Sequence, residues 1–281
     1  MTARDRMDAL PTPLLARAAT PYVALSGTAN VVLQLSHPAV GRGVRESRVE
    51  GARLFDDHRR RRRTTVGYLA VAVHGSASER AAYRRETNAS HAQVRSLPGE
   101  EPVYSAFDPQ LQRWVAACLY HGFEEAYVAV HGPLGEDAGA FYAEGVILGA
   151  MLQMPADLWP ADRAAFEEYW RAGLSRVAID EATRTYLLRV IDLEYLEHRV
   201  PRLVVQRRRR LTTGFLPPEV RVAMDLPWTA ADETGFARST SRFAAVVRRL
   251  PARARAWPFD GALRDVRARL ADGRPLFADP D

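Results

Sequence analysis

From Thr20 to His37 the chain reads TPYVALSGTANVVLQLSH, an apolar run with proline at its second position and a His-Pro pair at its end. Thr20 is suited to cap a helix, Pro21 fits the first helical position, and Pro38 closes the run. The same grammar returns in FDPQLQRWVAACLYHGFEEAYVAVHG. There Asp108 caps, Pro109 follows, and Leu111, Trp114, Val115, Cys118, Leu119 and Tyr127 recur on one helical stripe. Ser76 and Glu79 have the spacing of a capping box, which predicts a helix running to about Ser96. Residues 66–73 are apolar on every side, the pattern of a buried helix. Further helices are predicted over 136–153, 160–173, 180–198, 229–249 and 259–271. No segment alternates like a strand, and no repeat of fixed period occurs. The proline-rich LPPEVRVAMDLPWT, residues 216–229, is the nearest thing to a break and is short. The expectation is one all-α domain over residues 1–281.

Composition narrows the chemistry. The 281 residues are 47% hydrophobic, enough for a substantial core. No run approaches the roughly 18 apolar residues of a membrane span, and MTARDRMDALPTPLL lacks the apolar stretch of a signal peptide, so the expected location is the cytoplasm. Cys118 is the single cysteine, which excludes intramolecular disulfides and multi-thiolate zinc sites. All 39 basic residues are arginine. Without lysine the chain cannot be a P-loop NTPase, a protein kinase or a Schiff-base enzyme.

The seven histidines are the remaining candidates for holding a metal or cofactor. The residues three positions before them are Gln34, Phe55, Val71, Asn88, Cys118, Val128 and Tyr195, so the Glu-x-x-His pair of di-iron bundles never occurs. His-Glu-x-x-His and Gly-x-Ser-x-Gly are absent as well.

One stretch, HRRRRRTTVGYLAVAVHG, sets five arginines against the buried run. Successive helical residues are about 100° apart, so five arginines in a row point all round the helix. Arg61 and Thr65 share one face, which Tyr68, Leu69 and Ala72 continue, while Arg59, Arg60 and Arg63 point elsewhere. Arginines at a helix start oppose the dipole, an effect of about 0.3–1 kcal/mol that Asp56 and Asp57, or a bound anion, offset. On the next predicted helix, Tyr83, Thr87, His91 and Val94 share a semi-apolar face. Singly, His91 reads as a hydrogen-bonded core residue, Arg61 as a surface ion-pair partner and His37 as a polar helix end. A second run, Arg207 to Arg210, precedes a predicted helix end at Gly214, where cations suit the dipole.

The ordered segments LQLSHPAVGRGVRES, RRRTTVGYLAVAVHGSASERAAYRRETNASHAQVRS, YSAFDPQLQRWVAACLYHGFEEAY, GPLGEDAGAFYAE, PADRAAFEEYW, LPWT and LRDVRARLADGRPL resemble the rubber oxygenase (latex-clearing protein) and MpaB-type oxygenase family from about residue 15 onward. The resemblance implies an all-helical haem b protein with a globin-like core that works on a small hydrophobic, isoprenoid-like substrate and dioxygen. It implies His91 as the iron ligand, with Arg61 and Thr65 lining the haem pocket and His37 and Tyr68 further candidates beside the cofactor. It implies Glu46 as a catalytic base with a raised pKa, Glu50 being the alternative. Thr64 stands where some rubber oxygenases have a lysine that reaches the iron, which implies an open or water-closed distal side. Ala116 and Ala117 stand where many members have a histidine. The expected partners are substrate and dioxygen, without nucleic acid or a transmembrane segment, in a monomer or homodimer. The competing expectations are an all-helical nucleic-acid-binding or scaffold protein using its arginine runs, and a family member that has lost haem.

Overall fold

A computed structural model describes residues 2–47, 49, 54–101, 103–196 and 198–278. Two short helices, α1 (Ala3–Asp8) and α2 (Pro13–Ala18), precede α3 (Pro21–Leu35), and α4 (Pro38–Arg45) leaves α3 at the His37-Pro38 corner. Helices α5 (His58–His74) and α6 (Ala77–His91) form a hairpin, and α7 (Pro109–His131) is the longest helix. Around these wrap α8 (Ala138–Glu144), α9 (Ile147–Ala150), α10 (Arg163–Leu174), α11 (Glu181–Ile191), α12 (Arg202–Phe215), α13 (Pro218–Ala223), α14 (Ala230–Arg249), α15 (Ala252–Arg255) and α16 (Phe259–Ala271). Among the described residues there is no strand, only an isolated bridge between Arg95 and Ser105. The fold is all-α, as the periodicity predicts.

The capping residues act as their positions dictate. Thr20, Asp57 and Asp108 accept from the backbone of their own first turns, and Ser76 with Glu79 closes a full capping box. The centre of the structure is the seam between α3 and α7. Asn30 Nδ2 donates to the Cys118 carbonyl at 2.6 Å, and Trp114 Nε1 donates to the Gln34 carbonyl at 3.1 Å. Gly122 permits this approach, because a Cβ there would stand 2.8 Å from the Asn30 amide. Tyr120, Phe123, Phe141, Leu148 and Met151 are fully buried around the seam. Each such side chain contributes about 1.5–3 kcal/mol of hydrophobic stabilisation.

Several boundaries depart from the periodic pattern, each for a local reason. The helix predicted over 136–153 is broken into α8 and α9. At the break, Gly145 meets the Tyr120 ring, 2.6 Å from where its Cβ would be, and Glu144 turns its carboxylate onto the Leu14 and Leu15 amides at the start of α2. The helix expected to reach Ser96 stops at His91, because the chain folds back to pair Ser96 with Tyr104. Helix α11 ends at Ile191 and not near 198, since Leu193 takes a left-handed φ of 64°. Arg207 to Arg210 sit inside α12 rather than in its last turn, so the dipole does not account for them. Protein partners do: Arg208 donates to Thr28, Arg209 pairs with Asp192, and Arg210 with Asp232.

Two hydrogen bonds tie α6 to α5: near the turn Arg80 Nε donates to the Val71 carbonyl at 3.4 Å, and a second lies further along. Tyr83 Oη donates to the Thr64 carbonyl at 2.6 Å, directly over Gly67, where a Cβ would lie 2.7 Å from that hydroxyl. Tyr83→Phe should cost about 1 kcal/mol, the net worth of one such hydrogen bond. Gly67→Ala should cost more in the native chain than in the Tyr83→Phe background. Urea denaturation of both single variants and the double variant checks this, and strictly additive losses would contradict it.

Candidate functional site

The register of the hairpin decides what meets at its open end. His91 lies two helical turns beyond Tyr83 on α6, which brings it opposite the first turn of α5, where Arg61 lies. The charge of Arg61 acts on the His91 ring. Burial, with Arg61 second, lowers the His91 pKa to about 4, so the imidazole is neutral near pH 7. Its Nδ1 is buried and has no hydrogen-bond partner among the described residues.

Arg61 is exposed to water, yet the surrounding protein lowers its pKa by desolvation. A side chain that is both wet and desolvated stands in a recess and not on a convex surface. Thr65, one turn on, is also exposed. Deeper along α5, Leu69 is half-buried although Tyr68, Ala70, Ala72 and Val73 around it are buried. On α7, Val115 and Leu119 are likewise half-buried among the buried Gln112, Ala116, Cys118 and Gly122. Helices α2 and α9 each pack on both α5 and α7 and act as spacers between them. Leu69, Val115 and Leu119 pack against the core on one side and stay partly accessible on the other. Opposite Arg61, Tyr186 of α11 is packed edge-on by Phe55 at 5.4 Å.

The other sequence candidates fall in distinct places. Tyr68 is buried, and its hydroxyl donates to the Leu148 carbonyl at 2.5 Å, tying α5 to α9. Thr64 spends its hydroxyl on the Arg60 and Arg61 carbonyls at 3.1 and 3.2 Å. His37 caps α4 with its ring 6.3 Å from Trp114, its Nδ1 buried without a partner and its pKa lowered by burial and then Arg176. Glu46 accepts from Arg42 and Arg45, both at 2.8 Å. These bonds, Arg42 first, lower its pKa, which overturns the expectation of a raised one. Its surroundings are cationic rather than apolar, and no described contact joins it to His91 or Arg61. Glu50 lies outside the described residues. Ala116 and Ala117 are wholly buried, and Ala116 stands 3.2 Å from the Cβ position of Gly149, which leaves no room for a histidine.

A second titratable group was not singled out by sequence reasoning, although its i, i+4 spacing was there to read. His121 Nε2 lies 3.7 Å from Glu125 Oε1 on α7, and the His121 ring stacks on Trp170 at 4.7 Å. Burial lowers the His121 pKa to about 4 and, with Glu124 adding to it, raises that of Glu125 to about 7. Both side chains remain partly accessible, at 28% and 38%, so this pair also stands in a recess. Among the described residues no three His, Cys, Asp or Glu side chains are grouped to hold a metal, and no helix is long and apolar enough to cross a membrane.

An all-helical fold that brings the neutral His91 ring beside Arg61 is what the geometry shows, and sequence comparison supplies the family. Residues 16–249 match the family described as ER-bound oxygenase mpaB/B'/Rubber oxygenase, catalytic domain, and the chain belongs to that family. It is 40% identical over 249 residues to the uncharacterized protein Rv2237 of Mycobacterium tuberculosis, covering 88% of this chain and 98% of that one. The uncharacterized protein Mb2261 of Mycobacterium bovis is similar to the same extent, 40% over 249 residues with 88% and 98% covered. No solved structure matches the chain significantly.

The His121–Glu125 pair has a pH signature. Glu125 titrates near 7 when folded and near the ordinary 4.5 when unfolded, so its stabilisation is present in acid and lost as pH rises from about 4.5 to 7. His121 has the opposite sign: its contribution is full above 6.5 and is lost as pH falls towards 4. Glu125→Gln should therefore gain stability relative to the native chain on moving from pH 4.5 to pH 8. Denaturant titrations at both pH values check it, and a difference that does not change with pH would contradict it.

Proposed function

We propose that the chain is an oxygenase that holds haem b in the recess between α5, α6 and α7, with His91 as the iron ligand, and that acts on a small apolar substrate. The observation that carries this reading is the His91 ring, which is neutral, orphaned at Nδ1 and set beside Arg61. A neutral imidazole has a lone pair to offer, and an iron-binding histidine normally donates its other ring N–H to an acceptor. A porphyrin brings four of an iron's ligands itself and asks the protein for as little as one imidazole, which His91 can offer. Leu69, Val115 and Leu119 suit the faces of a flat apolar macrocycle.

When bound, haem supplies the activation of dioxygen. The protein does the rest. Arg61 is placed to pair with a propionate, and desolvation strengthens such a pair by lowering the competition from water. Thr65 offers a hydroxyl on the same helix face. Thr64 spends its hydroxyl on its own helix, so it would not compete with a small molecule for a bound iron. Tyr68 supports the wall from beneath through Leu148. Glu46 is ionised, the form a proton acceptor requires, but it is bound by Arg42 and Arg45 and has no described contact with His91 or Arg61.

Protein supplied with haem should show a Soret band. Loss of an outer-shell partner alone typically costs about 10- to 100-fold in metal affinity, so His91→Ala should weaken haem binding by at least ~10-fold. Equal affinity and an unchanged spectrum in His91→Ala would contradict the assignment.

A further inference from the structure

The end of α14 and the turn after α15 carry a surface that the His91 recess does not use. Phe243 and Val246 of α14, Leu250 at its C-terminal cap and Trp257 beyond α15 line an almost wholly apolar groove of 610 Å³. Val246 and Trp257 at its rim are 56% and 58% exposed. Arg242 and Arg249 flank Val246 on the same helix face, at i−4 and i+3, and Arg253 lines the groove itself.

The charge around this groove is one-sided. Between Glu233 and Asp260 the chain has no carboxylate but carries Arg238, Arg242, Arg248, Arg249, Arg253 and Arg255. Among the described residues none of these six forms an ion pair. Other surface arginines, among them Arg163, Arg209, Arg210 and Arg267, are held by carboxylates. Arg248 and Arg249 each give one hydrogen bond to a backbone carbonyl, and a stretch of cations beside exposed valine and tryptophan suits a partner that offers negative charge and apolar contact together.

We propose that this face docks the protein on an anionic lipid surface, with Val246, Leu250 and Trp257 entering the boundary between headgroups and acyl chains and the arginines meeting lipid phosphates. Tryptophan favours that boundary, because its ring is apolar while its N–H stays hydrated, and arginine side chains reach from an apolar face to the headgroups. The positive surface draws the protein towards anionic lipid over about a Debye length. A second copy of the chain is the wrong occupant, since it would set one arginine cluster against the other. A single acidic peptide matches less well than a lipid surface, because from Arg238 to Arg249 alone the cations spread over roughly 16 Å of helix. The proposal rests on this surface alone and stands whether or not His91 holds haem.

Sedimentation of the full chain with vesicles tests it. The protein should bind phosphatidylcholine vesicles containing phosphatidylglycerol, release as salt rises, and leave pure phosphatidylcholine vesicles unbound. The triple variant Arg242→Gln, Arg249→Gln, Arg253→Gln and the separate Val246→Asn should each weaken binding by ~10-fold or more, with helical circular dichroism unchanged. No binding to the anionic vesicles, or binding that survives both variants, overturns the proposal. So does capture of an acidic amphipathic peptide by a chain that ignores the vesicles, which would assign the face to a protein partner.

Discussion

The site depends on the hydrogen bond from Tyr83 to the Thr64 carbonyl across Gly67. A helical hairpin joined by a short turn can slide or splay. Here the missing side chain at Gly67 lets a phenol reach the backbone, and Tyr83 then cannot move without losing a buried hydrogen bond. Its ring is held on two further sides, by Tyr68 at 6.5 Å and by Phe277 at 5.2 Å. Arg63 binds the same C-terminal segment through the Leu276 carbonyl at 2.7 Å. With α5 and α6 locked there, the positions of Arg61 and His91 follow from helical geometry.

Desolvation is the second constraint, and it acts twice. His91 and His121 are both held neutral by burial on separate helices, yet neither is sealed from water. The two recesses differ in their companions. Beside His91 stands a cation, Arg61, which favours a neutral ring and suits an anionic ligand group. Beside His121 stand a protonatable carboxyl, Glu125, and a stacked indole. Only the first combines an orphaned ring nitrogen with apolar walls on a neighbouring helix.

Much of this was legible in the sequence, because it follows from period and capping chemistry. Thr20, Ser76 and Asp108 begin helices as their spacing predicts, and the helical period correctly separates Arg61 from Arg63. What was not legible depends on partners distant in the chain. The break between α8 and α9 comes from the Tyr120 ring against Gly145 and from Glu144 capping α2, and neither partner is local. Glu46 was expected in an apolar setting, but Arg42 and Arg45 fold onto it from its own helix. The α12 arginines were assigned to a helix end, whereas Asp192 and Asp232 pair two of them in mid-helix. Ala116 and Ala117 were visible only as missing histidines, and packing against Gly149 shows why they are small.

The proposed haem site is a spatial claim: a flat iron-bearing ring would lie between the α5–α6 hairpin and α7, on the side that carries Val115 and Leu119. The most direct test is a crystal structure of the haem-reconstituted protein. The account predicts the ring against Leu69, Val115 and Leu119, with the iron on His91 and a propionate at Arg61. Haem bound instead at His121, or held with His91 turned away from the iron, would contradict it.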